Sequence, residues 1–554
     1  MDRYDYIIIG AGSAGCVLAN RLTEDAGKTV LLLEAGVKDN SMMVRMPAGV
    51  ATLVPDKGTY NWGFWTEPEP HLENRKLFWP RGKGWGGSSS INGMLYIRGH
   101  ARDFDQWRQM GLPGWGFADV LPYFKKSEAF EDGADAWHGG DGPLKVTKTH
   151  DANPIYNATI EAGRQAGHKV TGDFNGFQQE GWGRYQNTIV DGERWSAAKG
   201  YLHPVLSRPN LTCITGARTT RILVENGRAV GVEYADETTR DRKTVRADAE
   251  VLLCAGAVQS PHILQLSGIG DPDELGKFGV PVVHALKGVG ANLQDHLDIA
   301  MAWECPKPIT MYSQTKGLRT ALIGISYMLF KKGLGRRFPL ETGAFLKSRP
   351  DLDRPDLQVH EMLVITRNHG SRDAGPIAKD GFSLHVCQLR PESHGRVGLR
   401  SADPFDDPAI FANYLAADED RRALREGVKI MREVVRQPAL DPYRTEEVFP
   451  GKAVQSDADI DEWIRKTGET IYHPVGTCKM GTAADPMAVV DSDCRVQGIA
   501  GLRVVDASVM PTLIGGNTNA PTIMIAEKIA DSIRGRAFLP AEDAPIYEDG
   551  KVAA

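Results

Sequence analysis

Tyr4-Asp5-Tyr6-Ile7-Ile8-Ile9-Gly10-Ala11-Gly12-Ser13-Ala14-Gly15 opens the chain, and Thr29-Val30-Leu31-Leu32-Leu33-Glu34 follows one short helix later. The first run is β-favouring and apolar apart from Asp5, and Cys16, Val17, Leu18, Ala19 and Leu22 continue as a helix. Each glycine has a physical task. Gly10 permits the tight turn, Gly12 lets a pyrophosphate approach the backbone, and Gly15 lets helix and strand pack closely. The helix N-terminus turns free N–H groups and its positive dipole end toward the phosphates. Glu34 ends the second strand about 20 residues beyond the last glycine, where a carboxylate accepts ribose hydroxyls. Strand, turn, helix, strand and acid in register predict a βαβ dinucleotide cradle. An acid there disfavours the 2′-phosphate of NADP, but the motif does not separate NAD from FAD.

Around this cradle the bulk properties set limits. A chain of 554 residues exceeds what one hydrophobic core organises, so two domains are expected. With 42% hydrophobic and 25% charged residues the chain has ample core material and is not a disordered polymer. A net charge of −6 excludes the basic footprint of a nucleic-acid binder. Seven cysteines are scattered without a Cys-x-x-Cys pair, which predicts reduced thiols, no metal site and a reducing compartment, hence a cytoplasmic protein. Met-Asp-Arg-Tyr runs straight into the first strand, so no removed signal peptide is expected. No run reaches the ~18 apolar residues of a spanning helix.

Two further segments combine glycines with hydroxyl and amide side chains. One is Phe78-Trp79-Pro80-Arg81-Gly82-Lys83-Gly84-Trp85-Gly86-Gly87-Ser88-Ser89-Ser90-Ile91-Asn92-Gly93-Met94. The other, Gly256 to Gly270, follows the buried strand Val251-Leu252-Leu253-Cys254-Ala255. Such backbone must pass close to a polar ligand. Near the C-terminus stand Ile471-Tyr472-His473-Pro474-Val475-Gly476, the strand Leu502-Arg503-Val504-Val505-Asp506-Ala507, and Gly515-Gly516-Asn517-Thr518-Asn519-Ala520-Pro521-Thr522 leading into a helix over 523–533.

Together with Asn292-Leu293-Gln294-Asp295-His296, these segments resemble the signatures of the glucose–methanol–choline oxidoreductase family along nearly the whole chain. Its bacterial alcohol dehydrogenases and choline-dehydrogenase-like branch look most similar. The resemblance implies FAD as cofactor, with Arg81, Gly82, Gly86, Gly87, Ser88, Asn92, Gly93 and Met94 along the pyrophosphate and isoalloxazine. It implies that Ser13, Ala14 and Ala35 join the cradle residues, and that Ala255, Gly256, Asp506, Ala507 and Thr518 contact the cofactor. Thr219 would lie along the adenine. Choline oxidases resemble the 81–94 loop but carry a flavin-linked histidine where this chain has Ile91, so FAD should be held non-covalently.

Alcohol oxidation needs a base for the hydroxyl proton and an acceptor for a hydride. The resemblance, not the spacing, selects His473 from 14 histidines as the base and Asn517 as its companion. It implies oxidation of a primary alcohol to an aldehyde, with electrons passed to a quinone or another non-nicotinamide acceptor. The alternatives are an oxidase using O₂ and a hydroxynitrile-lyase-type flavoprotein. No aromatic-plus-carboxylate set assignable to a quaternary ammonium is visible, which favours an alcohol with an apolar or aromatic body. Asp295 and His296 are expected to stabilise a turn, and His262 and the cysteines to be structural.

The expected fold is α/β (α+β overall): a Rossmann-like FAD-binding domain and a substrate domain built on an antiparallel sheet. Residues 1–300 would be mainly FAD-binding, with part of 140–195 assignable to the substrate domain. Residues 301–464 would form the substrate domain, and 465–540 would return to the first domain carrying the catalytic pair. Leu357–Thr366, Phe382–Pro391 and Gly395–Arg400 read as strands of that sheet, and Leu424, Val428, Met431 and Val435 as a core helix stripe. Residues 320–330 form an apolar run flanked by Lys316, Arg319, Lys331, Lys332, Arg336 and Arg337. It reads first as a buried helix, alternatively as peripheral membrane contact or substrate access through 316–337.

Overall fold

The computed structural model describes residues 2–149, 152–366 and 377–547. The opening segment folds as its pattern requires: strand Arg3–Ile9, helix Ser13–Leu22, strand Val30–Glu34. Both strands sit in a seven-stranded sheet whose parallel part runs Leu211–Thr215, Val30–Glu34, Arg3–Ile9, Arg242–Leu253, Leu502–Val504. Val30–Glu34 is buried along its whole length, the mark of a strand covered on both faces. The long strand Arg242–Leu253 changes partner along its length. Its first half pairs antiparallel with Arg228–Asp236, and its last three residues pair parallel with Leu502–Val504. The chain therefore returns to the first sheet some 250 residues later, carrying Asp506 and Asn517 back with it.

A second seven-stranded sheet is antiparallel throughout, ordered Glu447–Phe449, Leu297–Glu304, Gly381–Gln388, Leu357–Met362, Thr342–Leu346, Gly181–Arg184, with Glu469–Thr470 also pairing to Leu297–Glu304. Period-two alternation divides its faces. Leu357, Val359, Leu384 and Val386 share a core with Leu424, Val428, Met431 and Val435 of the Asp418–Val435 helix. Gln358, His360, Met362 and His385 face the other way, and His360, Met362 and His385 line a cavity between the two sheets. The polar alternation that suggests a solvent-facing side instead marks the roof of that cavity.

Two expectations are corrected. Arg396–Gly398 is a strand, but it pairs only with Ala409–Phe411 in a separate ribbon, because alternation predicts a strand and not its partner. The apolar run forms the helix Leu318–Phe330, yet only Tyr327 on it is buried. It is not a core helix. All seven cysteines are free, six of them buried. Among the described residues no helix is long and apolar enough to cross a membrane, and no group of His, Cys, Asp or Glu could hold a metal.

Candidate active site

One cavity of about 1060 Å³ runs from the cradle to the roof of the second sheet. That exceeds the ~300–1,000 Å³ of ordinary ligand pockets, leaving room for a dinucleotide and a substrate. Gly10, Gly12, Ser13, Ala14, Glu34 and Ala35 line one end. Arg81, Gly82, Gly87, Ser88, Asn92, Gly93 and Met94 line its flank, with Ile91 among them. Thr219, Ala255, Gly256, Asp506, Ala507, His473, Asn517 and Thr518 complete the residues expected from sequence. Gly15 and Gly86 lie behind this lining. A Cβ on Gly15 would stand 1.9 Å from the Gly10 carbonyl oxygen, so Gly15 serves helix packing. The Gly86 N–H donates to the Ala11 carbonyl at 2.7 Å, tying the 81–94 loop to the cradle turn.

Three helices begin at the cavity wall with residues Gly12, Ala255 and Thr518 at their caps, and no side chain caps any of them. The first-turn N–H groups of the Gly12-capped helix are thus available to phosphate, whereas the Gly256 N–H is already held by Asp506 Oδ2 at 2.8 Å. Gly10 adopts φ +98°, the left-handed turn that only glycine takes without strain. Gly87, at φ +50°, brings the loop so near that a Cβ would stand 2.7 Å from Gly12 Cα. Glu34 accepts backbone N–H bonds from Ala11 (2.9 Å), Gly36 (2.7 Å) and Gly84 (3.0 Å). It thus joins turn, strand end and loop before any ribose arrives. Burial pushes its carboxyl up, and these three donors oppose that. The Thr219 hydroxyl, on the same lining, is buried and lacks a partner among the described residues. An unmet hydroxyl on a wall otherwise shaped by glycine backbone fits the adenosine half of FAD.

At the other end, His473 is held from four sides. Its backbone N–H donates to Asp295 at 2.7 Å, and Asp295 also accepts from Thr470 and Tyr414. The preceding Tyr472 sits at φ +71°, and its carbonyl accepts from the Arg81 guanidinium at 2.6 Å. His473 Nδ1 lies 3.0 Å from His296 Nδ1, and His473 Nε2 lies 3.1 Å from Asn517 Nδ2.

The hydrogens in this chain can be assigned by elimination. His296 Nε2 lies 3.1 Å from the Leu389 carbonyl, which only accepts, so Nε2 carries a proton. Burial drives the His296 pKa down to about 3, so the ring is neutral and its Nδ1 is bare. His473 Nδ1 must therefore donate to it. Burial and the nearby His296, His360 and Arg81 also hold His473 well below the ordinary histidine range. Its Nε2 is then an unprotonated acceptor facing Asn517 and the cavity. Gln358 Nε2 donates to Asn517 Oδ1 at 3.2 Å, which turns the Asn517 amide N–H toward His473. The direction of every bond, from Gln358 to Leu389, is fixed by its two ends.

His296 was expected to stabilise a turn. The structure instead places it directly against His473, with the ring planes at 87°. Gln358 and Arg194 carry no sequence signal of their own. Arg194 is buried and donates to the carbonyls of Val44, Ser89 and Asn92 and to Asn92 Oδ1, pinning the 81–94 loop from behind.

The substrate end of the cavity is walled by Val50, Val54, Ile323, Leu334, Phe338, Leu340, Met362 and Ile471. Among the described residues, the carboxylates lining the cavity, Glu34, Asp406, Asp407 and Asp506, stand with the cofactor-side residues. Asp298 is buried outside the lining, 3.0 Å from His385 Nδ1.

Family models described as GMC oxidoreductase match residues 4–298 and 391–526. Choline dehydrogenase, mitochondrial, of Homo sapiens is 48% identical over 560 residues, covering 100% of this chain and 93% of that protein. Oxygen-dependent choline dehydrogenase of Cronobacter sakazakii is 49% identical over 552 residues, covering 99% of this chain and 98% of that protein. Among solved structures, pyridoxine 4-oxidase from Mesorbium loti superposes with a TM-score of 0.86 at 32% identity, covering 96% of this chain and 100% of its own. The cradle, the glycine–serine loop, Asp506, His473 and Asn517 all lie within the matched ranges, and the chain is a member of the GMC oxidoreductase family.

Proposed function

We propose that the protein is an FAD-dependent dehydrogenase of primary alcohols, with His473 Nε2 as the base. The observation that carries this is the placement of the buried His473, whose Nε2 lies 3.1 Å from the Asn517 amide at the end of the cavity remote from the cradle. FAD, when bound, supplies the hydride acceptor. A hydroxyl placed between the two side chains donates its proton to His473 Nε2 and accepts the Asn517 N–H on its oxygen. As the carbinol C–H bond breaks, the oxygen keeps the electron pair that becomes the carbonyl. Asn517 steadies the negative charge that builds on it. The Nδ1–H bond to His296 holds the ring in the one tautomer able to accept. Removing such a base costs ~10²–10⁴ in rate.

Ile91 lines the cofactor wall and offers no nucleophile, so FAD is held non-covalently. Acid precipitation should release all the flavin into the supernatant; flavin remaining with the pellet contradicts this.

The wall near His473 favours an alcohol with an apolar body. Among the described residues, Phe338 and Tyr472 are the aromatic side chains there, and none of the carboxylates lines that end to balance a trimethylammonium group. A choline substrate is the second reading, favoured by the 48–49% identity to proteins named choline dehydrogenase. An anaerobic flavin-bleaching screen with choline, a medium-chain aliphatic alcohol and an aryl alcohol separates the two; choline bleaching fastest supports the second. The electrons leave to a quinone or another non-nicotinamide acceptor, with O₂ the competing acceptor. Peroxide release measured against dye reduction, with one alcohol, decides between them.

A further inference from the structure

The Leu318–Phe330 helix is apolar on both of its sides. Thr320, Ile323 and Gly324 line the cavity, and Tyr327 is buried against the body of the protein. Leu318, Leu322, Ile325 and Leu329 follow steps of four, three and four residues and so form one stripe. That stripe faces outward: Leu318 is 84% exposed, Leu329 68% and Leu322 60%. Met328 and Phe330 are exposed beside it. Of the fifteen exposed large apolar side chains among the described residues, six lie on this one helix. A surface helix ordinarily turns polar residues to water, and a contiguous apolar patch marks an interaction surface.

The charges around the patch select its partner. Lys316, Arg319, Lys332 and Arg336 are exposed on either side of the stripe. Lys331 is left out because Glu193 accepts its ammonium at 2.8 Å. No Asp or Glu occurs between Cys305 and Leu340, in a chain whose net charge is −6. An apolar stripe between flanking cations matches a bilayer with anionic headgroups, where the stripe enters the acyl boundary and the cations meet the phosphates. A second copy of the chain fits less well, because a two-fold contact through this helix sets the two cationic collars against each other.

We propose that the Leu318–Phe330 helix docks the enzyme on an anionic lipid bilayer and so turns the substrate end of the cavity toward the membrane. Thr320, Ile323 and Gly324 then form the wall between the lipid and the cavity. An apolar alcohol dissolved in the bilayer would reach His473 past this helix without crossing bulk water. The docking stands on the stripe and its charges, and is independent of which alcohol is oxidised.

The test is flotation of the full-length, FAD-loaded enzyme with vesicles of phosphatidylcholine, with and without phosphatidylglycerol. The enzyme is expected to float with the phosphatidylglycerol vesicles and to be released by high salt. Leu322→Ser with Leu329→Ser should lower the bound fraction by about tenfold or more. Lys332→Glu with Arg336→Glu should weaken binding by about fivefold or more per reversed charge. None of these four side chains lines the cavity, so flavin reduction by a short soluble alcohol should be unchanged and should verify folding. Failure to float with phosphatidylglycerol vesicles, or flotation of the leucine variant equal to the parent, overturns the proposal. So does light scattering in which the parent is an oligomer that the leucine variant dissociates, which assigns the face to a second copy.

Discussion

His296 touches no substrate atom in this account, yet its removal should slow the reaction, and the size of the effect follows from the hydrogen-bond chain. His296 Nδ1 is the acceptor that keeps the proton of His473 on Nδ1, at 3.0 Å. In His296→Leu that N–H is left unpaired in a buried site, a penalty of ~1–3 kcal/mol. The other neutral tautomer, with the proton on Nε2, leaves no N–H unpaired beside the leucine, but its Nδ1 is bare, it requires the Asn517 amide to turn, and it cannot accept from a hydroxyl. At 1.36 kcal/mol per tenfold, the competent tautomer is depleted by at most about 5- to 150-fold, and the rate of flavin reduction should fall within that limit. His296→Gln is the control. Its amide presents a donor and an acceptor with nearly the spacing of the two ring nitrogens, so it can still bridge the Leu389 carbonyl and His473. It should stay within about fivefold of the parent. The assay is anaerobic stopped-flow reduction of bound flavin at saturating alcohol, which isolates the chemical step from reoxidation. A leucine variant as fast as the parent refutes the tautomer argument. Glutamine and leucine variants equally slow would reduce His296 to a packing residue.

Three further outcomes are expected. Because burial holds His473 well below its ordinary value of ~6.5, it stays neutral and competent on the acid side of neutrality. The reduction rate should therefore be flat as pH falls through ~6.5 and decline only below it; a break at or above that pH contradicts the neutral resting state. Gly87→Ala places a methyl 2.7 Å from Gly12 Cα at a left-handed φ, so the purified protein should carry little flavin, judged by its flavin-to-protein absorbance ratio. Full occupancy would mean that the loop does not need this close approach. Arg194→Met leaves the carbonyls of Val44, Ser89 and Asn92 without their buried donor, at ~1–3 kcal/mol each. Flavin occupancy and the thermal midpoint should fall together, and a fall in the midpoint with all the flavin retained would separate Arg194 from the loop.

What the sequence disclosed and what it hid divide along the range of the interactions. The cradle is local: strand, turn, helix and acid lie within 31 residues, and each has a composition that specifies it. His473 and Asn517 were reached through family motifs, since nothing in their immediate surroundings distinguishes that histidine from the rest. The residues that aim them were not reached. His296 meets His473 across 177 positions and Gln358 meets Asn517 across 159, and no periodicity signals a hydrogen bond between segments so far apart. Arg194 reads as one more charged residue until the fold buries it beneath the glycine–serine loop. The 320–330 run shows a different limit. Its apolar content was plain, but a helical stripe is the same whether a core, a bilayer or water covers it, and only the assembled surface leaves Leu318, Leu322 and Leu329 exposed.

The central claim is that His473 takes the alcohol's proton in a site that binds FAD without its help. The most direct measurement is anaerobic flavin bleaching by the best alcohol from the screen, parent against His473→Ala, with flavin content determined on both. The account predicts equal flavin content and a reduction rate lower by ~10²–10⁴ in the variant. A variant that retains its flavin and is reduced as fast as the parent contradicts the assignment of the base, and with it the hydrogen-bond chain from Gln358 to Leu389 as the device that prepares it.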